Sequence, residues 1–275
     1  MSIAGVVILY NPQEEVIENI GSYLRELDKL FVFDNSENPN TPVVEKIQLL
    51  PGVEYISFGE NKGISFVLNA ALKLAKHYQF LLTMDQDSQF HPGMMKKYKE
   101  ILVDKYGNNA SVAMFSVNFE GMKLESTEEC YVERAITSGS VVDVRIAEQL
   151  GGFDENLFID EVDNEFCYRA QLHGYGILCL PQIHLQHHLG NPIPGTLFGV
   201  KFKGLNHNKI RKYYITRNNI YVMKKYPRLR FYCFKELMKI IIKLLLVEPD
   251  KWNRILFMLR GIKDGVSGKM GKLNV

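Results

Sequence analysis

Four times within the first 85 residues a short apolar run stops at small polar residues, and between the runs apolar positions return at helical spacing. The runs are Ile3 to Tyr10, Leu30 to Phe33, Val53 to Phe58 and Phe80 to Met84. Between the first two, Val16, Ile20, Tyr23, Leu24 and Leu27 fall on one helical face; between the last two, Phe66, Leu68, Ala71, Leu72 and Ala75 do the same. Strands alternating with helices through short links favour a mainly parallel sheet covered on both faces. Ligands of such sheets gather at the carboxyl ends of the strands. Three polar clusters stand there: Tyr10-Asn11-Pro12, Asp34-Asn35-Ser36 and Asp85-Gln86-Asp87.

Farther on, Ser111 to Phe119 and Val141 to Val144 read as strands around Thr137-Ser138-Gly139-Ser140, and Asn156 to His173 reads as helical in its latter part. Charge then changes character. Residues 1–165 hold 13 Lys and Arg against 27 Asp and Glu, whereas residues 166–275 hold 20 against 4, so the overall +2 hides two opposed halves. A basic stretch of this kind is either a solvated face or a surface for an anionic partner. Leu237 to Val247 is strongly apolar, but Lys239 and Lys243 interrupt it on one helical face, so it is no clean membrane span. With Arg228, Arg230, Phe231, Tyr232, Trp252, Arg254 and Arg260 around it, the segment suits a helix lying in a membrane surface; a core-packed helical hairpin is the alternative.

Cys130, Cys167, Cys179 and Cys233 are far apart and form no C-x-x-C pair, which argues against a disulfide framework or a zinc site and for a reducing cytoplasm. The N-terminal run lacks a basic leader and reads as a first strand. No G-x-G-x-x-G follows that strand and no G-x-x-x-x-G-K-[ST] occurs, which disfavours dehydrogenases and P-loop kinases. The basic third carries no recognised RNA- or DNA-binding motif, so no nucleic-acid partner is expected.

Two carboxylates at a strand end, one residue apart, suit a nucleoside diphosphate with Mg²⁺ or Mn²⁺: one can face the cation while the other faces a ribose hydroxyl. Strand-end turns also attract Asp for their own hydrogen bonds. A second cluster, Asp160, Glu161, Asp163 and Glu165, puts four acids in six residues. Such acids repel unless a cation, a proton or an Arg offsets them, although an acidic helix N-terminus accounts for some of them. His184, His187 and His188 either complete a mixed cation site or cap a strand.

The segments VVILYNP, FDNS, NKGISFVLNAAL, LLTMDQDS, ITSGSVV, GGFDENLFIDEVDNEFCYRAQLHGY, HHLG and ITRNN, in this order, make the resemblance specific. The chain resembles the family-2 inverting glycosyltransferases with a GT-A fold, and within them the bacterial rhamnosyltransferase-like branch that builds surface polysaccharides. The resemblance implies a Rossmann-like α/β catalytic domain over 1–220, with a nucleotide-binding half (1–110) and an acceptor-binding half (111–220), followed by a basic amphipathic helical segment over 221–275. Tyr10, Asp34, Asn61 and Lys62 would line the base and ribose pocket, with Gly63 permitting close backbone approach. Asp85 would sit beside the ribose and diphosphate, with Gln86, Ser138 and Gly139 in the same donor-binding segments. Asp87 and His187 would hold Mn²⁺ or Mg²⁺. Asp163 would be the catalytic base, with Glu165 and Asp160 as supporting acids. Many relatives carry an acid where this chain has Val162, which leaves the choice between Asp163 and Asp160 open. Arg217 is a candidate diphosphate contact, because guanidinium binds phosphate bidentately; a surface ion pair or a membrane-facing charge is its other reading.

The implied activity is transfer of L-rhamnose from dTDP-rhamnose to a lipid-linked saccharide during capsule, O-antigen or cell-wall assembly. Another nucleotide sugar, such as a UDP-hexose, or a non-catalytic saccharide-binding scaffold, is the alternative. The implied location is the cytoplasm, peripheral at the inner face of the plasma membrane through the basic segment, and relatives are often homodimers.

Overall fold

The structure, a computed structural model, describes residues 1–120, 122, 127–187, 193–197, 200–204 and 206–274. His188, Leu189 and Gly190 of the HHLG segment lie outside the described residues. The chain divides into two compact units: Met1–Glu155 with Val162–His188, and Asn156–Glu161 with Leu189–Val275. The division expected near residue 220 therefore falls about thirty residues earlier, and a six-residue loop ahead of it also belongs to the second unit.

The first unit is built on β1 (Ile3–Leu9), α1 (Glu15–Gly21), β2 (Lys29–Asp34), α2 (Thr41–Gln48), β3 (Val53–Ser57), α3 (Ile64–Leu74) and β4 (Phe80–Asp85). It continues with β5 (Ser88–Phe90), α4 (Met94–Tyr106), β6 (Val112–Phe119), β7 (Cys130–Tyr131), β8 (Ser140–Asp143), α5 (Val144–Gln149), α6 (Val162–Leu172) and β9 (Gly176–His187). The sheet runs β3-β2-β1-β4-β8-β6-β9-β5, with β7 pairing β9. Neighbours from β3 to β4 are parallel, β8 is antiparallel to both β4 and β6, and β6 and β9 are parallel again. The apolar runs are what close this sheet: every residue of β1 is buried, and Val7, Leu9, Val32, Leu82, Met84 and Phe115 join one core with Val16 and Ile20 of α1 and Tyr98 of α4. Helix α1 ends at Gly21, earlier than the periodicity predicts. Ser22 turns its hydroxyl back to the Asn19 carbonyl (2.6 Å), and a 3-10 turn, Leu24–Glu26, carries the remaining apolar positions.

The second unit holds the antiparallel pair β10 (Ile193–Leu197) and β11 (Val200–Gly204) and three helices, α7 (Lys209–Lys225), α8 (Arg230–Val247) and α9 (Lys251–Ser267). Its apolar clusters join Tyr213 and Tyr214 with Leu273, and Leu237 and Leu244 with Met258. Among the described residues no helix is long and apolar enough to cross a membrane.

Candidate active site

Strand β4 delivers the acid pair. It lies parallel to β1 with Ile8 opposite Asp85, so Asp85 ends the strand beside the end of β1. The loop that follows is tied down by Gln86. Its side-chain carbonyl accepts the Tyr10 N–H (2.8 Å), its amide donates to the Tyr10 carbonyl (3.1 Å), and its own backbone carbonyl accepts from Asn19 Nδ2 (2.8 Å). Gln86 thus straps the end of β1 to the acid loop. Strand β5 then doubles back antiparallel to the end of β9, with Ser88 opposite His187. That pairing brings a histidine one hundred residues away in sequence to within 3.6 Å of Asp87 Oδ1, measured from Nδ1.

Asp85, Asp87 and His187 each present a ligand atom, and these atoms lie within 4.8 Å of one another. Two carboxylate oxygens and an imidazole nitrogen form a donor set that suits Mn²⁺ or Mg²⁺ better than a thiophilic metal. Behind the set runs a buried hydroxyl chain. The Asp85 N–H donates to Ser138 Oγ (3.2 Å), the Ser138 hydroxyl donates to Ser88 Oγ (2.6 Å), and Ser88 Oγ lies 2.7 Å from His187 Nδ1. Ser138, expected at the nucleotide sugar, supports two of the three candidate ligands from behind. Gly139 serves the same turn through its backbone: its φ is +76°, and a Cβ there would meet Leu185 Cδ2 at 2.7 Å. Supporting hydrogen bonds of this kind orient metal-binding imidazoles. Ser88→Ala is therefore expected to weaken Mn²⁺ binding about tenfold, read by isothermal titration, with the melting temperature of the apoprotein little changed. An unaltered Mn²⁺ affinity would remove the hydroxyl chain from the site.

Alongside Asp87 opens a cavity of about 350 Å³ whose lining includes Gln13, Asn19, Gln86, Gln89 and Gln186. Its carboxamides offer both donors and acceptors to a hydroxyl-rich ligand.

The second polar cluster closes around β2. Asp34 is fully buried; Oδ1 accepts the Ser36 N–H and Oδ2 the Tyr55 hydroxyl, both at 2.8 Å. Burial, with the carboxylate beside it, pushes the Tyr55 hydroxyl well up. Asp34 therefore shapes the loop from inside. Ser36 Oγ accepts the Asn11 N–H (2.7 Å), which joins this loop to the end of β1. Asn35 receives the Lys62 N–H (3.3 Å) and donates to the Gly63 carbonyl (3.4 Å), while Asn61 Oδ1 accepts the Gly63 N–H (2.9 Å). Gly63 opens α3 with φ +86°, a conformation suited to glycine. Lys62 pairs with Glu60. Tyr10 is the exposed member of the group, with 46% of its surface open to solvent.

The acids of the 160–165 cluster separate. Asp163 and Glu165 stand in the first turn of α6, in the first unit. Asp163 Oδ1 accepts the Asn164 N–H (2.8 Å), and burial, with the Asp163 charge adding to it, pushes the Cys167 thiol up to about 12. Glu165, expected as a supporting acid near the acceptor, is fully buried, with Oε1 and Oε2 held by Arg169 at 3.0 and 2.8 Å. Arg169 also donates to the Leu150 and Gly152 carbonyls, so the pair braces the turn that precedes α6. Asp160 belongs to the second unit. Its Oδ1 accepts Nε and Nη2 of Arg211, both at 3.1 Å, and burial raises its carboxyl despite that guanidinium. Asp160 and Glu161 both have positive φ, +64° and +63°, a conformation non-glycine residues seldom adopt. Asn218 holds it by donating to the carbonyls of Ile159 (2.7 Å) and Asp160 (3.0 Å).

Arg217, expected at the diphosphate, is buried inside the second unit. Its guanidinium packs 4.9 Å from the Tyr214 ring centre, and Nη1 donates to the Gly271 carbonyl (2.6 Å). That position makes it an internal strut. Ser88, Asn35, Tyr55 and Asn19 hold the site together although the sequence assigns none of them an individual role. The first two lie inside the quoted segments, and only the strand pairing reveals what they hold.

A mainly parallel sheet with an acid pair closing its central strand, faced by a histidine from a returning strand, is an arrangement for a nucleotide-linked substrate. Residues 6–137 match the model of Glycosyl transferase family 2. The chain carries a family 2 glycosyltransferase domain. It is similar to a dTDP-rhamnosyl transferase, RfbF, of Shigella flexneri, at 26% identity over 98% of this chain and 97% of that protein. Among solved structures it is similar to GalNAc-T7, crystallised with UDP, GalNAc and Mn²⁺, with a TM-score of 0.63 and 14% identity over 98% of this chain. The chain spans only 56% of the length of that protein. It is likewise similar to S. aureus TarS 1–349 in complex with UDP-GlcNAc, with a TM-score of 0.54 and 14% identity, over 98% of this chain and 74% of that one. These likenesses establish the GT-A fold of this glycosyltransferase.

Proposed function

We propose that this glycosyltransferase is cation-dependent and inverting, and moves L-rhamnose from dTDP-rhamnose to a lipid-linked saccharide during assembly of a bacterial surface polysaccharide. The convergence of Asp85, Asp87 and His187 at the end of β4 carries the cation dependence. The sugar rests on the similarity, over nearly the full length of both chains, to a dTDP-rhamnosyl transferase.

Tyr10, exposed at the end of β1, offers a ring face to the thymine base, and the loop shaped by Asp34, Asn35, Asn61 and Gly63 borders the ribose. A divalent cation, when bound, neutralises charge on the diphosphate and so makes it a better leaving group; Asp85, Asp87 and His187 would hold it. Asp163 accepts the proton of an acceptor hydroxyl as that oxygen bonds to the anomeric carbon. The bond from the anomeric carbon to the diphosphate oxygen breaks, its electron pair leaves with the dTDP, and the single displacement inverts the configuration. Asp163 stands in the first turn of α6. Asp160, whose carboxyl is raised by burial and already engaged by Arg211, is the weaker candidate.

A thermal-shift panel tests the donor. dTDP-rhamnose is expected to raise the melting temperature when Mn²⁺ is present and much less without it, because a ligand that binds only the native state stabilises it. Asp87→Ala should weaken Mn²⁺-dependent donor binding on the order of a hundredfold. Stabilisation by UDP-sugars alone would favour the second reading, a UDP-hexose donor, which the UDP-bound structural neighbours support. No response to any nucleotide sugar would overturn both.

A further inference from the structure

Helix α8 is apolar on two opposite faces, and only one of them is covered. Cys233, Leu237 and Leu244 are buried, and Leu237 and Leu244 pack with Met258 of α9. Phe231, Phe234, Met238, Ile242 and Leu245 recur three or four residues apart on the other side, and all are exposed, Phe231 to 80%. Helix α9 repeats the arrangement: Arg254, Met258 and Gly261 are buried, while Trp252, Leu256, Leu259 and Val266 form an exposed stripe in which Trp252 is 81% open. Ten of the seventeen large apolar residues exposed among the described residues lie on these two helices. Soluble surfaces rarely concentrate apolar groups in this way without a partner.

The charges beside the stripes identify the partner. Residues 224–247 carry seven Lys and Arg against one acid, Glu236, and that acid is paired with Lys239 at 2.6 Å. Lys235 and Lys239 border the α8 stripe; Lys263 sits within the α9 stripe. The one acid within α9, Asp264, is buried and accepts the Tyr213 hydroxyl (2.8 Å). An apolar stripe rimmed by cations fits the headgroup boundary of a bilayer containing anionic lipid, where the apolar side chains enter the acyl region and the lysines meet the lipid phosphates. A second copy of the chain would bring the same cations against these, which like-charge repulsion opposes.

We infer that the exposed stripes of α8 and α9 are a membrane-insertion face selective for anionic bilayers, held parallel to the surface rather than spanning it. The inference deepens the reading of a lipid-linked acceptor by naming the surface on which the enzyme would meet it, yet its test uses neither donor nor turnover.

Trp252 is the one tryptophan of the chain, so its emission reports on α9 directly. The full chain is titrated with vesicles of phosphatidylcholine alone and of phosphatidylcholine with one-third phosphatidylglycerol. The expected result is a blue shift of Trp252 emission, with quenching by bromine-labelled acyl chains, on the anionic vesicles, and at least tenfold weaker partitioning to the neutral ones. Phe231→Ser with Phe234→Ser, and separately Leu256→Ser with Leu259→Ser, should each weaken partitioning at least tenfold. Every substituted position is exposed, and an unchanged circular dichroism spectrum and thermal shift with dTDP and Mn²⁺ would show that the fold and the donor site survive. Three results would overturn the inference: no blue shift on anionic vesicles, binding that both serine pairs leave unchanged, or self-association in sedimentation that uses the stripes and that vesicles fail to displace. If the dTDP response is lost from the unsubstituted protein while partitioning persists, the donor reading fails and the membrane face stands.

Discussion

Asp163→Asn is expected to lower the rate of sugar transfer by about 10²–10⁴-fold while leaving donor and Mn²⁺ affinity within about twofold of the parent. The carboxamide keeps the shape of the side chain, and its oxygen can still accept the Asn164 N–H that Asp163 now receives at 2.8 Å. What it lacks is basicity, so the acceptor hydroxyl must ionise without help. Steady-state kinetics with a saturating donor separates the effects: kcat falls, the donor KM stays, and the residual rate climbs with pH as hydroxide takes over the proton. The matching Asp160→Asn variant is expected to cost much less in turnover. Asp160 is bound to Arg211 and its carboxyl is raised by burial, so its loss is felt in the 156–161 loop of the second unit. A larger loss of kcat in Asp160→Asn than in Asp163→Asn would reverse the assignment.

That two acids three residues apart part company shows where the sequence stops being legible. Local signals carried far in the first unit. Buried runs closed by polar residues located β1, β2 and β4, the half-exposed run Val53 to Phe58 located β3, and Asp85 and Asp87 fall at and just past the end of β4, because a strand's interior and its terminus demand different side chains. What the pattern lacked was pairing. His187 reaches Asp87 only through the register Ser88–His187, and neither the three-residue β5 nor the last turn of the twelve-residue β9 has a periodicity of its own to announce it. The loop 156–161 joins the second unit because Asn218, nearly sixty residues later, binds its carbonyls, a contact invisible in the spacing of acids. The burial of Arg217 is hidden for a related reason. A basic residue in a basic stretch reads as surface, but adjacent Tyr213 and Tyr214 supply two ring faces that cover a guanidinium. The cation–aromatic sequence was visible; whether it faces inward depends on the packing of α7 against α9.

Glu248→Ala is expected to destabilise the second unit by ~3–5 kcal/mol. Glu248, just past the end of α8, is almost fully buried and is shared by two cations, Lys212 at 2.8 Å and Arg254 at 2.7 Å. Burial lowers the Lys212 ammonium, with Glu248 opposing that shift, and burial, helped by the surrounding cations, pushes neighbouring His207 down to about 3. The cluster is thus electropositive even with the glutamate present. Removing the only carboxylate leaves two desolvated cations facing one another, which costs far more than the hydrogen bonds themselves. Urea denaturation followed at 222 nm reads the loss, since α7, α8 and α9 supply most of this unit's helix. Replacing all three groups together, Lys212→Met, Glu248→Leu and Arg254→Leu, should recover most of the stability, because an apolar cluster avoids the desolvation that the ions must offset. His207 adds a dependence with a definite sign. Its folded value lies below the unfolded one of about 6.5, so between those two values the unfolded chain binds a proton that the folded chain refuses, and stability falls as the pH drops through that window. A Glu248→Ala cost below about 1 kcal/mol, or a triple variant no more stable than the single, would mean that the three charges are solvated well enough not to need one another.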